Sequence, residues 1–120
     1  MKKLIILFTL SFTLVLTAFT KADIPSYLSS LGYEFSQNYT KTTFTIPNEF
    51  DMVYNSYNEI QKEAGYNLLP YRGKKCSMYT YEIYNHPFGK CNANIIVYNG
   101  EIIGGDIASV NLDGFMVPLM

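Results

Sequence analysis

Residues 93–115, ANIIVYNGEIIGGDIASVNLDGF, read as one β-hairpin, and their reading decides the fold. Asn99-Gly100 lies between two β-branched runs. A two-residue type I′ turn needs φ > 0 at both central positions, which asparagine and glycine tolerate best. With that turn Val97 faces Ile102, Ile95 faces Gly104 and Ala93 faces Asp106. Gly104 and Gly105 then fall mid-strand, where glycine costs stability. Three explanations compete: a β-bulge, close approach of a helix to the sheet, or a backbone surface open to a ligand. Mid-strand glycine most often marks one of the first two.

Working back from the hairpin, Lys90 to Tyr98 is its first strand, and Asn85 to Gly89 holds the turn residues Pro87 and Gly89. Lys75 to Tyr84 alternates, with Ser77, Tyr79, Tyr81 and Ile83 on one side and Cys76, Met78, Thr80, Glu82 and Tyr84 on the other. Between Pro47 and Gly65 the period changes to that of a helix. Phe50, Val53, Tyr54, Tyr57, Ile60 and Ala64 form an apolar stripe, and Asn55, Asn58, Glu59 and Glu63 make a face expected to meet water. Asn48 is the expected N-cap and Gly65 the left-handed stop. Before it, Tyr33 to Ile46 is a β-rich strand expected near an edge, with Asn38-Tyr39-Thr40 read as a turn. Asp23, Pro25 and the spacing of Ile24, Tyr27, Leu28 and Leu31 predict a short helix ended by Gly32. The expected fold is therefore one α+β domain: a short N-terminal helix, a strand, then an amphipathic helix packed on an antiparallel sheet with a C-terminal three-stranded meander.

The first residues carry an address rather than fold. Met1-Lys2-Lys3 is a basic start, Leu4 to Phe19 is uncharged and apolar, and Thr20-Lys21-Ala22 offers small residues at positions −3 and −1 of a cleavage site. This pattern reads as a secretory signal peptide over residues 1–22, leaving a domain over residues 23–120. The apolar run is short of the ~20 residues that span a bilayer, so a retained membrane anchor is the second reading. Export implies a secreted or extracytoplasmic protein. Without residues 1–22 the chain holds six basic against ten acidic residues, a net charge of −4. It carries no basic stripe, which argues against nucleic acid as a partner.

The exported address permits a disulfide, and Cys76 and Cys91 are the only candidates. On consecutive strands, however, the residue opposite Cys91 falls between Glu82 and Tyr84. Cys76 is then roughly 20–27 Å along the strand at ~3.3 Å per residue. A bridge needs Cα atoms within about 7 Å, so the pairing is possible but disfavoured.

Candidate chemistry is sparse. Asp106 and Asp113 are the carboxylates nearest the glycine pair, and two carboxylates could act as acid and base or hold a cation. Calcium usually needs 6–8 oxygen ligands, and no loop offers a dense set. His86 is the single histidine, in a turn and expected to face solvent, so no metal site is expected. No phosphate-binding or dinucleotide motif is present, and no cofactor is implied. All 11 tyrosines follow residue 22, and Tyr79 and Tyr81 are the ones on a sheet face that could grip a partner.

FTIPNEFDMVYNSYNEIQKEAGYNLLPYRGKK, then MYTYEIYN, then ANIIVYNGEIIGGDIASVNLDGFM resemble the family catalogued as domain of unknown function 4830, over nearly all of the chain after the signal segment. The most specific pieces are I-P-x-x-F-D-x-V-Y before a helix ending at A-G-Y, and I-I-G-G-D with L-D-G-F-M. The resemblance implies a common α+β fold and export in mainly Gram-positive bacteria. It implies no established activity, so it assigns no catalytic residue. The expected function is a non-enzymatic binding or interaction module of the bacterial cell envelope, its partner an envelope protein. The rival is a small extracytoplasmic enzyme using Asp106 and Asp113.

Overall fold

The sheet is built from sequential neighbours. The computed structural model describes residues 23–111 and 114–120; the expected signal segment and Asp113 lie outside the described residues. Helix α1 is Ile24–Ser30, β1 Phe35–Thr45, α2 Met52–Glu63, β2 Lys75–Ile83, β3 Cys91–Tyr98, β4 Glu101–Ser109 and β5 Met116–Val117. The five strands lie in the order β1-β2-β3-β4-β5 and every pairing is antiparallel, so β1 and β5 flank the expected three-stranded meander. Asn38 lies within β1, where the pairing with β2 slips between Phe35 and Tyr39, rather than in a turn.

Each helix is fixed at both ends by its own sequence. Asp23 caps α1 through the Ser26 amide at 3.1 Å. Asp51, not Asn48, caps α2 through the Tyr54 amide at 2.8 Å, so the helix starts later than its first apolar residue suggests. Both helices end in the same device. The Tyr33 amide donates to Leu28 O at 3.1 Å and the Tyr66 amide to Gln61 O at 2.9 Å, each just past a glycine of positive φ. The chain therefore leaves α1 and α2 with an aromatic ring turned back toward the core.

Both sheet faces are covered. On one, Leu28 and Ile24 of α1 pack with Tyr81, Ile83, Cys91, Ala93, Ile95, Ile107 and Leu119. On the other, Ile46, Leu68, Cys76, Ile96 and Ile103 are buried, with Phe50, Tyr54, Tyr57 and Tyr71 against them. The isoleucines of β3 are thus divided between two cores, as expected for a strand with neither face in water.

The hairpin departs from the expected register. The turn is as read, with Asn99 at φ 54° and Gly100 at φ 78°, and Val97 does face Ile102. Beyond that pair, Ile96 faces Gly104, Ile95 faces Gly105 and Asn94 faces Asp106, leaving Ile103 as the extra residue of a bulge. A slip of one residue exchanges the faces of everything after it. Asp106 consequently shares the α2 side with Asn94, not the α1 side with Ala93.

The buried face of α2 also differs from the apolar stripe. Val53 is 75 % exposed, whereas Asn58 and Gln61 are buried. The reason lies in backbone groups outside the helix. Asn58 Oδ1 accepts from the buried Leu68 amide at 2.7 Å, its Nδ2 donates to Asn67 Oδ1 at 2.9 Å, and Gln61 Oε1 accepts from the Gly105 amide at 2.7 Å. A buried amide without a partner is costly, so the helix turns its polar side chains inward to meet these two.

Candidate functional site

Gly104 and Gly105 owe their place to two of the three competing causes at once. The bulge lies beside Gly104, and a Cβ there would stand 2.6 Å from Gln61 Oε1 and 3.2 Å from Leu68 Cδ2. At Gly105, φ is +153°, and a Cβ would run into the Asn94 carbonyl and stand 2.7 Å from Leu119 Cδ1. These positions seat α2 and its following loop against β4 and thereby set Asp106 beneath the helix.

Asp106 is 2 % exposed and both its oxygens are engaged. The Tyr57 hydroxyl donates to Oδ2 at 2.7 Å and Asn94 Nδ2 donates to Oδ1 at 2.9 Å. Asn94 Oδ1 in turn accepts from the Thr80 hydroxyl at 2.7 Å. Thr80, Asn94 and Asp106 are cross-strand partners on β2, β3 and β4, so one polar row crosses the sheet on the α2 side. Gln61 Nε2 is buried and closes no hydrogen bond.

Burial pushes the Asp106 carboxyl above its ordinary value, against the pull of the Asn94 and Tyr57 hydrogen bonds. Burial, then the adjacent Asp106 charge, drives the Tyr57 hydroxyl strongly upward. Tyr57 therefore keeps its proton and remains the donor. Among the described residues the ion pair is Lys62–Glu59 on the outer side of α2, and no cation reaches Asp106.

Above this row, α2 and the sheet stand apart to leave a groove of about 390 Å3. Phe44, Val53, Tyr54, Met78 and Met116 wall it, and Tyr57, Asn94 and Asp106 form its polar end. A second hollow of about 380 Å3 lies where β1 slips, lined by short polar side chains such as Ser36, Asn38, Thr40 and Asn92 together with the rings of Tyr39 and Tyr84. The first combines an apolar enclosure with a few convergent polar groups, the usual composition of a ligand site.

The other expected site residues lie elsewhere. Tyr79 and Tyr81 are on the opposite face, with Tyr39 at 5.5 and 5.3 Å from their ring centroids. Tyr81 is buried in the α1 core, and Tyr79 lies under the Lys41 ammonium at 5.6 Å. Asp113 is outside the described residues, so a pairing with Asp106 has no geometry here. Cys76 and Cys91 are free, buried, and in different cores on opposite faces. Ile83 faces Cys91, seven positions along β2 from Cys76. Burial raises both thiols. His86 is not a solvent-facing turn residue: it is half-buried and stacks on Phe115 at 5.1 Å, with Phe88 at 5.3 Å. No group of three or more histidine, cysteine, aspartate or glutamate side chains converges as a metal site among the described residues.

The arrangement coincides with the sequence pieces that carried the family likeness: the helix ending at A-G-Y seats on I-I-G-G-D. The family model described as Domain of unknown function (DUF4830) matches residues 27–107. The chain belongs to the DUF4830 family. The match spans α1 from Tyr27 through β4 to Ile107, and so includes every polar residue of the DUF4830 groove. No curated protein and no solved structure matches this DUF4830 chain.

Tyr57, Asn94, Thr80 and Gln61 were not legible as site residues of the DUF4830 domain. Tyr57 reads as core from helix period, and Asn94 and Thr80 read as ordinary alternation. The glycine pair was the available signal, since placing the bulge at Ile103 puts Asn94 opposite Asp106.

Proposed function

We propose that this DUF4830 domain is an exported, non-enzymatic binding module of the bacterial envelope that receives its partner in the groove between α2 and the sheet. The observation that carries this reading is the groove itself: apolar walls ending on a satisfied polar row. The Asp106 oxygens are held in place by Tyr57 and Asn94, and Tyr57 holds its proton. Such a carboxyl is a fixed acceptor for a partner's donor. The rival enzyme reading draws on Asp113, so Asp113→Asn discriminates the two: partner binding is retained under the binding reading.

A photo-crosslinking residue at the exposed position Val53, compared with one at Glu63, tests the groove. Partner adducts should form from position 53 and not from position 63. Equal adducts at both, or none at 53, would count against the groove. For the address, the chain recovered outside the cytoplasm should begin at Asp23; full-length chain in the membrane fraction would favour the anchored alternative instead.

A further inference from the structure

We infer that the groove's occupant is a lysine side chain presented by a peptide segment of the partner, its ammonium received at Asp106. This rests on the binding reading above and adds the chemistry of the ligand.

Charge complementarity is the first support. Asp106 is a buried carboxyl at the end of the groove, and among the described residues no lysine, arginine or histidine is paired with it. A buried charge is ordinarily matched by an opposite charge, and one left unmatched is costly. Each carboxylate oxygen here accepts one hydrogen bond from the chain, and each has capacity for another. The second support is the lining. Phe44, Tyr54 and Tyr57 bring three aromatic rings to the same groove, and aromatic faces attract ammonium groups. Met78, Met116 and Val53 offer apolar contact to an aliphatic stem. Rings and thioethers around a lone carboxyl suit a cation at the tip of an apolar chain, and do not suit an anion.

Size then separates a peptide from a free amine. Cavities from ~300 Å3 upward hold drug-sized molecules. A groove of about 390 Å3 is larger than one alkylammonium chain needs, and it leaves room for the flanking residue. The rim residues Val53 and Met116 are exposed, so the flanking chain can continue into solvent on either side.

The test uses the full chain, with end-blocked Gly-Lys-Gly and Gly-norleucine-Gly as probes and n-butylammonium chloride as the free amine, by isothermal titration calorimetry. The lysine peptide should bind at least tenfold more tightly than the norleucine peptide and than n-butylammonium. Asp106→Asn should remove the lysine preference. Because Asp106→Asn acts in the core, Val53→Lys supplies an independent arm: it places a competing ammonium at an exposed rim position and should weaken the lysine peptide at least tenfold with the circular dichroism of the folded chain retained. Equal affinity for lysine and norleucine peptides, or a lysine preference that survives both substitutions, would overturn the ammonium assignment while leaving the groove as a binding site. Equal affinity for n-butylammonium and the peptide would overturn the peptide. If no probe binds and Val53 crosslinks still form, the ligand chemistry is wrong; if neither occurs, the binding reading falls with it.

Discussion

The two faces of one sheet are covered in contrasting ways. On the α1 side, Leu28, Ile95 and Ile107 are completely buried and the packing is almost purely apolar. A polar touch comes from the Tyr66 hydroxyl, which donates to Tyr27 at 2.8 Å near the helix. On the α2 side, Asn58, Gln61 and Asp106 are buried and each answers a specific donor. One face is held by area, the other by matched hydrogen bonds. Area is indifferent to small changes of orientation, whereas matched hydrogen bonds fix position. The face that fixes position is the one with the groove.

The largest effect that separates the faces is expected at Leu28. Leu28→Ala should cost about 2–5 kcal/mol, because the site is fully enclosed and leaves a cavity. Denaturant unfolding measures it, and a loss under about 1 kcal/mol would mean that α1 is not a structural half of the core. On the other face, Gln61→Ala strips the Gly105 amide of its acceptor and should cost about 1–3 kcal/mol. Gln61→Glu, which keeps the acceptor oxygen but buries a charge, should not restore it.

The third expectation concerns pH. Asp106 is raised in the folded chain, so between its unfolded value and its folded one the folded state holds the extra proton. Stability from this group is therefore full below the unfolded value, about 4, and is lost as pH rises through the folded value. Relative to Asp106→Asn, the wild type should lose stability on going from pH 4 upward, with a slope of at most about 1.4 kcal/mol per pH unit. A flat difference between the two curves would show that the hydrogen bonds of Tyr57 and Asn94 cancel the burial. The smallest effect belongs to the groove rim: Val53→Ser should stay within about 0.5 kcal/mol, since the side chain is exposed. A larger loss would close the contrast, because the rim would then be part of the core.

Part of the first face could be read from the chain. The alternation of Tyr79, Tyr81 and Ile83 put them on one face, but that this face packs on α1 and not beneath α2 was not readable from it. The residue opposite Cys91 reads as falling between Glu82 and Tyr84, and it is Ile83. The second face was less legible. Apolar period pointed Val53 inward and Asn58 outward, and both are reversed. A count of apolar residues weighs what a side chain loses in water; it is blind to backbone amides that a loop and a bulge leave without partners. His86 eluded the reading for a related reason: its neighbours Tyr33 and Phe115 come from the two ends of the domain.

The sequence by itself determined the elements whose causes are local. Asn99-Gly100 takes φ > 0 at both positions and turns the hairpin, Gly32 and Gly65 end the helices, and residues 27–107 place the chain in the DUF4830 family. Only the tertiary structure decided where the extra residue of β4 falls. That choice, Ile103, reflects the fit of Gln61 and Leu68 against Gly104, a contact between segments 36 or more residues apart. It turned Asp106 to the α2 side, under Tyr57 and beside Asn94. Period-two alternation assigns a side chain to a face only up to the first bulge, and past it the packing of a distant helix assigns the face instead.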